Sequence, residues 1–146
     1  MEVKNKIKLF LVDDDTVFLK VLEVDFLQHA DFIIETFTSG ELCIQNLAHN
    51  PDIIILDYLL HVEGVDKTVM NGIETLDKIR VINPDIPVII LSAQDKIDVA
   101  VNCMHHHAFD YVVKSETAFV RLQTIISRIF SHKKLKKELS WYMERM

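Results

Sequence analysis

The chain has 146 residues, 49% of them hydrophobic and 26% charged, and a formal net charge of −6. That length suits one domain with a real core, and the acidic balance gives no general reason to expect nucleic-acid binding. No apolar run reaches the ~18 residues that a membrane span needs, and no apolar signal segment follows Met1-Glu2-Val3-Lys4-Asn5-Lys6, so the expected location is cytoplasmic, with Cys43 and Cys103 as reduced thiols in helical patterns.

Ile7 to Val12 reads as an apolar strand broken only by Lys8, and it runs into Asp13-Asp14-Asp15. Thr16 to Gln28 carries Val17, Phe18, Val21, Leu22 and Phe26 at helical spacing, with Asp15 or Thr16 as cap. Phe32 to Phe37 is a second strand. Ser39 caps a helix that presents Leu42, Cys43, Leu47 and Ala48 on one face. Asn50-Pro51 then punctuates the start of Asp52-Ile53-Ile54-Ile55-Leu56-Asp57. This run is continuously apolar rather than alternating and rich in β-branched residues, so it predicts a strand buried on both faces and ending in a carboxylate.

A polar loop extends from Tyr58 to about Asn71. Gly72 to Ile82 is helical, with Ile73, Leu76 and Ile79 inward, and Asn83-Pro84 stops it. Ile86 to Leu91 is a fourth strand ending in Ser92-Ala93, Asp95 to about His107 a fourth helix, and Tyr111-Val112-Val113 a short fifth strand ending in Lys114. From Glu116 onward the chain is helical, with Phe119, Leu122, Ile125, Ile126, Ile129 and Phe130 as the buried stripe. Five strands alternating with five helices predict an α/β fold: a doubly wound parallel sheet of order 2-1-3-4-5, with an extended C-terminal helix. The switch point of that order brings Asp13, Asp14 and Asp57 to one crevice.

Strand ends thus deliver an acidic pair (Asp13, Asp14), a lone Asp57, the hydroxyl of Ser92 and the amine of Lys114. Three close carboxylates repel and raise one another's pKa. A hard divalent cation removes that repulsion, and Mg²⁺ favours carboxylate oxygens together with phosphate. The set reads as a phosphoryl-transfer site with an aspartate nucleophile.

These residues resemble the receiver domain of two-component response regulators. The matching stretches are Leu11-Val12-Asp13-Asp14-Asp15, Pro51 to Asp57, Met70-Asn71-Gly72, Ile89-Ile90-Leu91-Ser92-Ala93 and Ala108 to Lys114, in that order. The resemblance implies the flavodoxin-like receiver fold over residues 5–130; the chain beyond it, 131–146, reads from its own apolar spacing as a helical linker or dimerising extension. It implies that Asp57 accepts a phosphoryl group from a sensor histidine kinase, and that Asp13, Asp14, Asp57 and the Leu59 carbonyl hold Mg²⁺ or Mn²⁺. Ser92, Ala93 and Lys114 would contact the phosphoryl oxygens, and Tyr111 would turn inward as Ser92 moves. Output would pass through the fourth helix, fifth strand and fifth helix by homodimer formation or partner binding, with nucleic acid involved only indirectly.

Three departures from the family pattern stand out. Leu60-His61 replaces the usual Met-Pro, and Gly72 lies fifteen residues after Asp57 instead of about eight, so about seven residues are inserted within His61 to Val69. Ser115 replaces the proline that usually follows the Lys through a cis bond, and a cis bond to a non-proline costs about 2.5–4 kcal/mol. His107 replaces the usual Gly, so the fourth helix is expected to end without its left-handed residue.

Other patterns have plainer readings. In His105-His106-His107, consecutive helical side chains diverge by ~100° and do not chelate one ion readily, so solvated histidines are the reading. Lys133, Lys134, Lys136 and Lys137 read as a solvated helix face. Leu135, Leu139, Tyr142 and Met146 form a short heptad-like stripe. Two rival functions carry their own signatures. Asp13-Asp14-Asp15-Thr16-Val17 also fits the opening motif of haloacid-dehalogenase phosphatases, but Asp57 would then have no role. A degenerate receiver would fold and bind partners without phosphorylation.

Overall fold

A computed structural model describes residues 6–29, 32–60 and 70–144, with residues 29, 133–138 and 142 described by backbone alone. The strands are β1 (Ile7–Val12), β2 (Phe32–Phe37), β3 (Ile53–Asp57), β4 (Val88–Ser92) and β5 (Asp110–Val113). The helices are α1 (Thr16–His29), α2 (Gly40–Gln45), α3 (Gly72–Ile82), α4 (Ile97–His105) and α5 (Ala118–Glu144), with a 3-10 turn at Leu47–His49. The sheet is parallel throughout and ordered β2-β1-β3-β4-β5, the order read from the sequence.

Successive side chains of a strand point to opposite faces. Leu9 and Leu11 of β1, Ile53 and Ile55 of β3, and Ile89 and Leu91 of β4 enter one core with α1 and α5. Phe10 and Val12, Ile54 and Leu56, and Val88 and Ile90 enter the other with α2, α3 and α4. Every β3 residue is buried, because helices cover both faces. Each fully buried Ile or Leu contributes about 1.5–3 kcal/mol, which fixes the strand ends that bear the polar groups.

The helix starts follow local chemistry. Asp15, not Thr16, caps α1: its Oδ1 accepts from the amides of Val17 and Phe18, each at 3.1 Å. Ser39 caps α2 by accepting from Leu42 N. Asn71 and Glu74 form a reciprocal capping box on α3. Asn83 ends α3 as its C-cap.

Several expected faces need correction. On α1, Val17 is 73% and Val21 54% exposed, while Leu19, Leu22 and Phe26 are buried. Of the face expected on α2 and the turn after it, Leu42 and Ala48 are exposed, while Cys43 and Leu47 enter the core. Phe119 is half-buried and Phe130 is exposed, so the buried stripe of α5 ends at Ile129. α4 does not manage without a left-handed residue: His107 adopts φ 68° itself. Its amide donates to Met104 O and that of Ala108 to Cys103 O, the paired bonds of a Schellman cap. Arg80 clamps this turn from α3: its Nε and Nη2 donate to His107 O at 2.9 and 2.7 Å, and its Nη1 to Ile86 O at 2.6 Å. His106 also sits 2.7 Å from Asp77 of α3, so the histidine run is used as cap and tether.

No cis peptide bond occurs among the described residues, so Lys114–Ser115 is trans. The inserted stretch His61–Val69 lies outside the described residues, as do the side chains of the four-lysine run and of Leu135, Tyr142 and Met146. Leu60, just before the insertion, is buried in the core under α3, and Met70, just after it, donates its amide to Glu41 Oε2. None of the described helices is long and apolar enough to cross a membrane.

Candidate functional site

Register brings the polar strand ends together. Val12 pairs with Leu56 and Ser92 with Val113, so one further residue sets Asp13 beside Asp57 and Lys114 beyond Ser92. The backbone amide of Lys114 donates to Ser92 O at 2.7 Å. Carboxylate oxygens of Asp13, Asp14 and Asp57 all lie within 4.8 Å of one another. Lys114 Nζ reaches in between, 2.8 Å from Asp13 Oδ2 and 3.2 Å from Asp57 Oδ1. Asp13, Asp57 and Ser92 are buried, and Asp14 is half-exposed at the rim.

The electrostatics follow from burial and from that crowding. Burial, and then the charge of Asp13, push the Asp57 carboxyl up to about 7, against the pull of Lys114. Burial and Asp13 also raise Asp14. Burial disfavours the Lys114 ammonium, but its hydrogen bond to Asp13 and the two facing carboxylates outweigh this and raise its pKa. One ammonium among three carboxylates leaves negative charge in excess. Hard oxygen donors at this spacing suit a divalent cation of the Mg²⁺ type, and the unrelieved repulsion at Asp57 and Asp14 is what such a cation would remove.

Neighbouring segments hold the edge in shape. The amide of Asp15 donates to Asp13 Oδ1 at 2.9 Å. A Cβ on Gly72 would stand 2.4 Å from the Asp57 carbonyl and 2.6 Å from that of Tyr58, so only glycine lets α3 start against this turn. Ser92 Oγ accepts from Gln94 N at 3.0 Å, and the Tyr111 hydroxyl donates to Gln94 O. Tyr111 is therefore tied to the loop that leaves Ser92. Ala93 and Leu59 both stand exposed beside the crevice.

One contact was not foreseen. The Phe18 ring lies under Lys114, with Nζ 4.6 Å from its centroid. Helical spacing assigned Phe18 only to a core face. The available signal was its place in the first turn of a helix that begins at the acidic cluster.

Comparison with known proteins agrees with this geometry. The family model for the response regulator receiver domain matches residues 9–127. The chain is 35% identical over 119 residues to a protein-glutamate methylesterase/protein-glutamine glutaminase of Clostridium acetobutylicum, covering 78% of this chain and 32% of that protein. It is 28% identical over 131 residues to the transcriptional regulatory protein ZraR of Klebsiella oxytoca, covering 89% of this chain and 28% of ZraR. The signal receiver domain of a Vibrio parahaemolyticus Luxo repressor superposes with a TM-score of 0.75 at 25% identity, covering 92% of this chain and 98% of that domain. The chain thus spans about a third or less of the length of these curated relatives. Strand order, the carboxylate cluster and the family match converge: the chain belongs to the response regulator receiver domain family.

Proposed function

We propose that this receiver domain takes a phosphoryl group onto Asp57 from the phosphohistidine of a sensor histidine kinase. The observation that carries the reading is the buried Asp57 carboxylate held at 3.2 Å from Lys114 and within 4.8 Å of the Asp13 and Asp14 oxygens. In the transfer, an Asp57 oxygen forms the new O–P bond as the N–P bond breaks, and the electron pair returns to the imidazole nitrogen. Asp13, Asp14, Asp57 and the Leu59 carbonyl are the groups that would hold Mg²⁺ or Mn²⁺. When bound, that ion supplies positive charge against the phosphoryl oxygens. Lys114 supplies a second positive charge, and Ser92 and the Ala93 backbone meet the remaining oxygens.

The same contacts give a switch. Ser92 Oγ now engages Gln94 N, and Tyr111 holds the carbonyl of the same residue. Drawing Ser92 toward a phosphoryl oxygen changes that loop, and Tyr111 and the α4–β5–α5 surface respond. The energy is the difference in contacts between the two states. Residues 5–130 act as the receiver, and 131–146 serve linkage or dimerisation in a cytoplasmic protein. The intact acidic set and Lys114 favour this reading over a phosphorylation-independent binding module.

The test is the chemistry of the label. Acetyl phosphate with Mg²⁺ should add a phosphoryl group that EDTA prevents and that neutral hydroxylamine removes, as for an acyl phosphate. A label that forms in EDTA or survives hydroxylamine would overturn the reading.

A further inference from the structure

We propose that Phe18 is a positioning residue for phosphoryl uptake, its ring face holding the Lys114 ammonium aimed at the acceptor. The proposal rests on Asp57 being that acceptor. Lys114 is fixed at its backbone by the bond to Ser92 O, but four methylenes separate that anchor from Nζ. Among the described residues, three groups meet the amine: Asp13 Oδ2 at 2.8 Å, Asp57 Oδ1 at 3.2 Å and the Phe18 ring centroid at 4.6 Å. The Lys114 side chain is only 18% exposed, and desolvation strengthens a cation–π contact.

The ring is itself held. The Phe18 amide donates to Asp15 Oδ1, and its side chain packs against the core of α1 and α5. Asp15 donates its own amide to Asp13 Oδ1, and Asp13 Oδ2 meets Lys114. The contacts close a ring: Asp13, Asp15, Phe18, Lys114 and back to Asp13. The two carboxylates in reach of the amine are the oxygens that a divalent cation and a phosphoryl group engage. The phenyl ring has no lone pair to give either of them. It keeps its hold on the ammonium while the carboxylates change partners. A residue serving only the core would be replaceable by leucine; one that presents a π face would not.

The experiment has a metal-free arm and a kinetic arm, each on the whole chain. In the metal-free protein, the ε-methylene protons of Lys114 should show an upfield ring-current shift that Phe18→Leu abolishes and Phe18→Tyr retains. With acetyl phosphate and Mg²⁺, Phe18→Leu should slow phosphoryl uptake about fivefold, the scale of one partly buried cation–π contact. Mg²⁺ affinity, followed by amide shifts, should stay within about twofold, which also reports that the site is folded. Phe18→Tyr should restore the rate. In a Lys114→Met background, Phe18→Leu should change nothing further. An equal slowing in that background, a leucine variant at wild-type rate, or an absent ring-current shift would each overturn the proposal while the acceptor reading stands. A wild type that takes up no phosphoryl group would overturn the acceptor reading, and the proposal with it.

Discussion

At the amino edge of the sheet, charges are matched. Lys8 Nζ lies 3.4 Å from Glu35, and His49 Nδ1 lies 2.7 Å from the same carboxylate. Burial alone would raise Glu35, but the hydrogen bonds from His49 and Lys8 outweigh it and hold the carboxyl below its usual range. Arg80 closes two loops at this edge by donating to the His107 and Ile86 carbonyls. At the carboxyl edge three carboxylates crowd one ammonium, and burial, then the charge of Asp13, push Asp57 up to about 7. The same strands end in both places. The amino edge uses charge for stability, whereas the carboxyl edge holds repulsion that a divalent cation would relieve. That is the exchange of stability for function expected at a working site.

The largest effect that would break this contrast is at Asp57. Its folded pKa near 7 lies above the ~4 of an unfolded aspartate, so the folded state holds the extra proton between those values. The metal-free protein should therefore lose stability as pH rises from about 4 to 7, and stay at the lower level above it. The shift corresponds to ~4 kcal/mol at most. Asp57→Asn should remove this slope and unfold in more urea than wild type at pH 8, with the gap shrinking toward pH 5. A variant less stable than wild type at pH 8 would contradict it.

Arg80→Ala tests the other edge. It strips charge-assisted hydrogen bonds from two carbonyls and should lower unfolding free energy by about 2–3 kcal/mol, while phosphoryl uptake stays within about twofold. A large loss of uptake with little loss of stability would show that the edges are not separate. His107→Gly should act in the opposite direction, since His107 holds φ 68° with an exposed side chain. Relief of the left-handed penalty should add about 1 kcal/mol, read from the same urea curves.

The smallest effect concerns the lifetime of the phosphoryl group. Leu59 is exposed two residues past Asp57 and offers nothing to orient a water for attack on an acyl phosphate. Leu59→Asn should shorten the half-life of the label about threefold, a modest share of a general acid–base effect. Unchanged decay in the mass-resolved phosphorylated fraction would remove Leu59 from the account.

Much of this was legible in the sequence. β1 and β2 lie at Ile7–Val12 and Phe32–Phe37, as their apolar runs predict. β3 is buried on both faces, as a continuous run of branched residues demands. Because polar residues end those runs, the sheet order alone gathers Asp13, Asp57, Ser92 and Lys114. The misses have physical reasons. On α1, Val17, Leu19, Val21 and Leu22 leave apolar residues all round, so spacing does not say which face meets the sheet. His107 takes a glycine's conformation because the Schellman bonds and the Arg80 clamp fix the turn from outside it. The contact between Phe18 and Lys114 joins residues far apart in the chain, and no local pattern announces it.

The central claim, that the crowded carboxyl edge exists to place a phosphoryl group on Asp57, is tested most directly by intact mass. Wild type, Asp57→Asn and Asp13→Asn would each be incubated with acetyl phosphate and Mg²⁺. The account predicts one added phosphoryl group on wild type and none on Asp57→Asn. A group that persists in Asp57→Asn and disappears in Asp13→Asn would contradict it and make Asp13 the nucleophile.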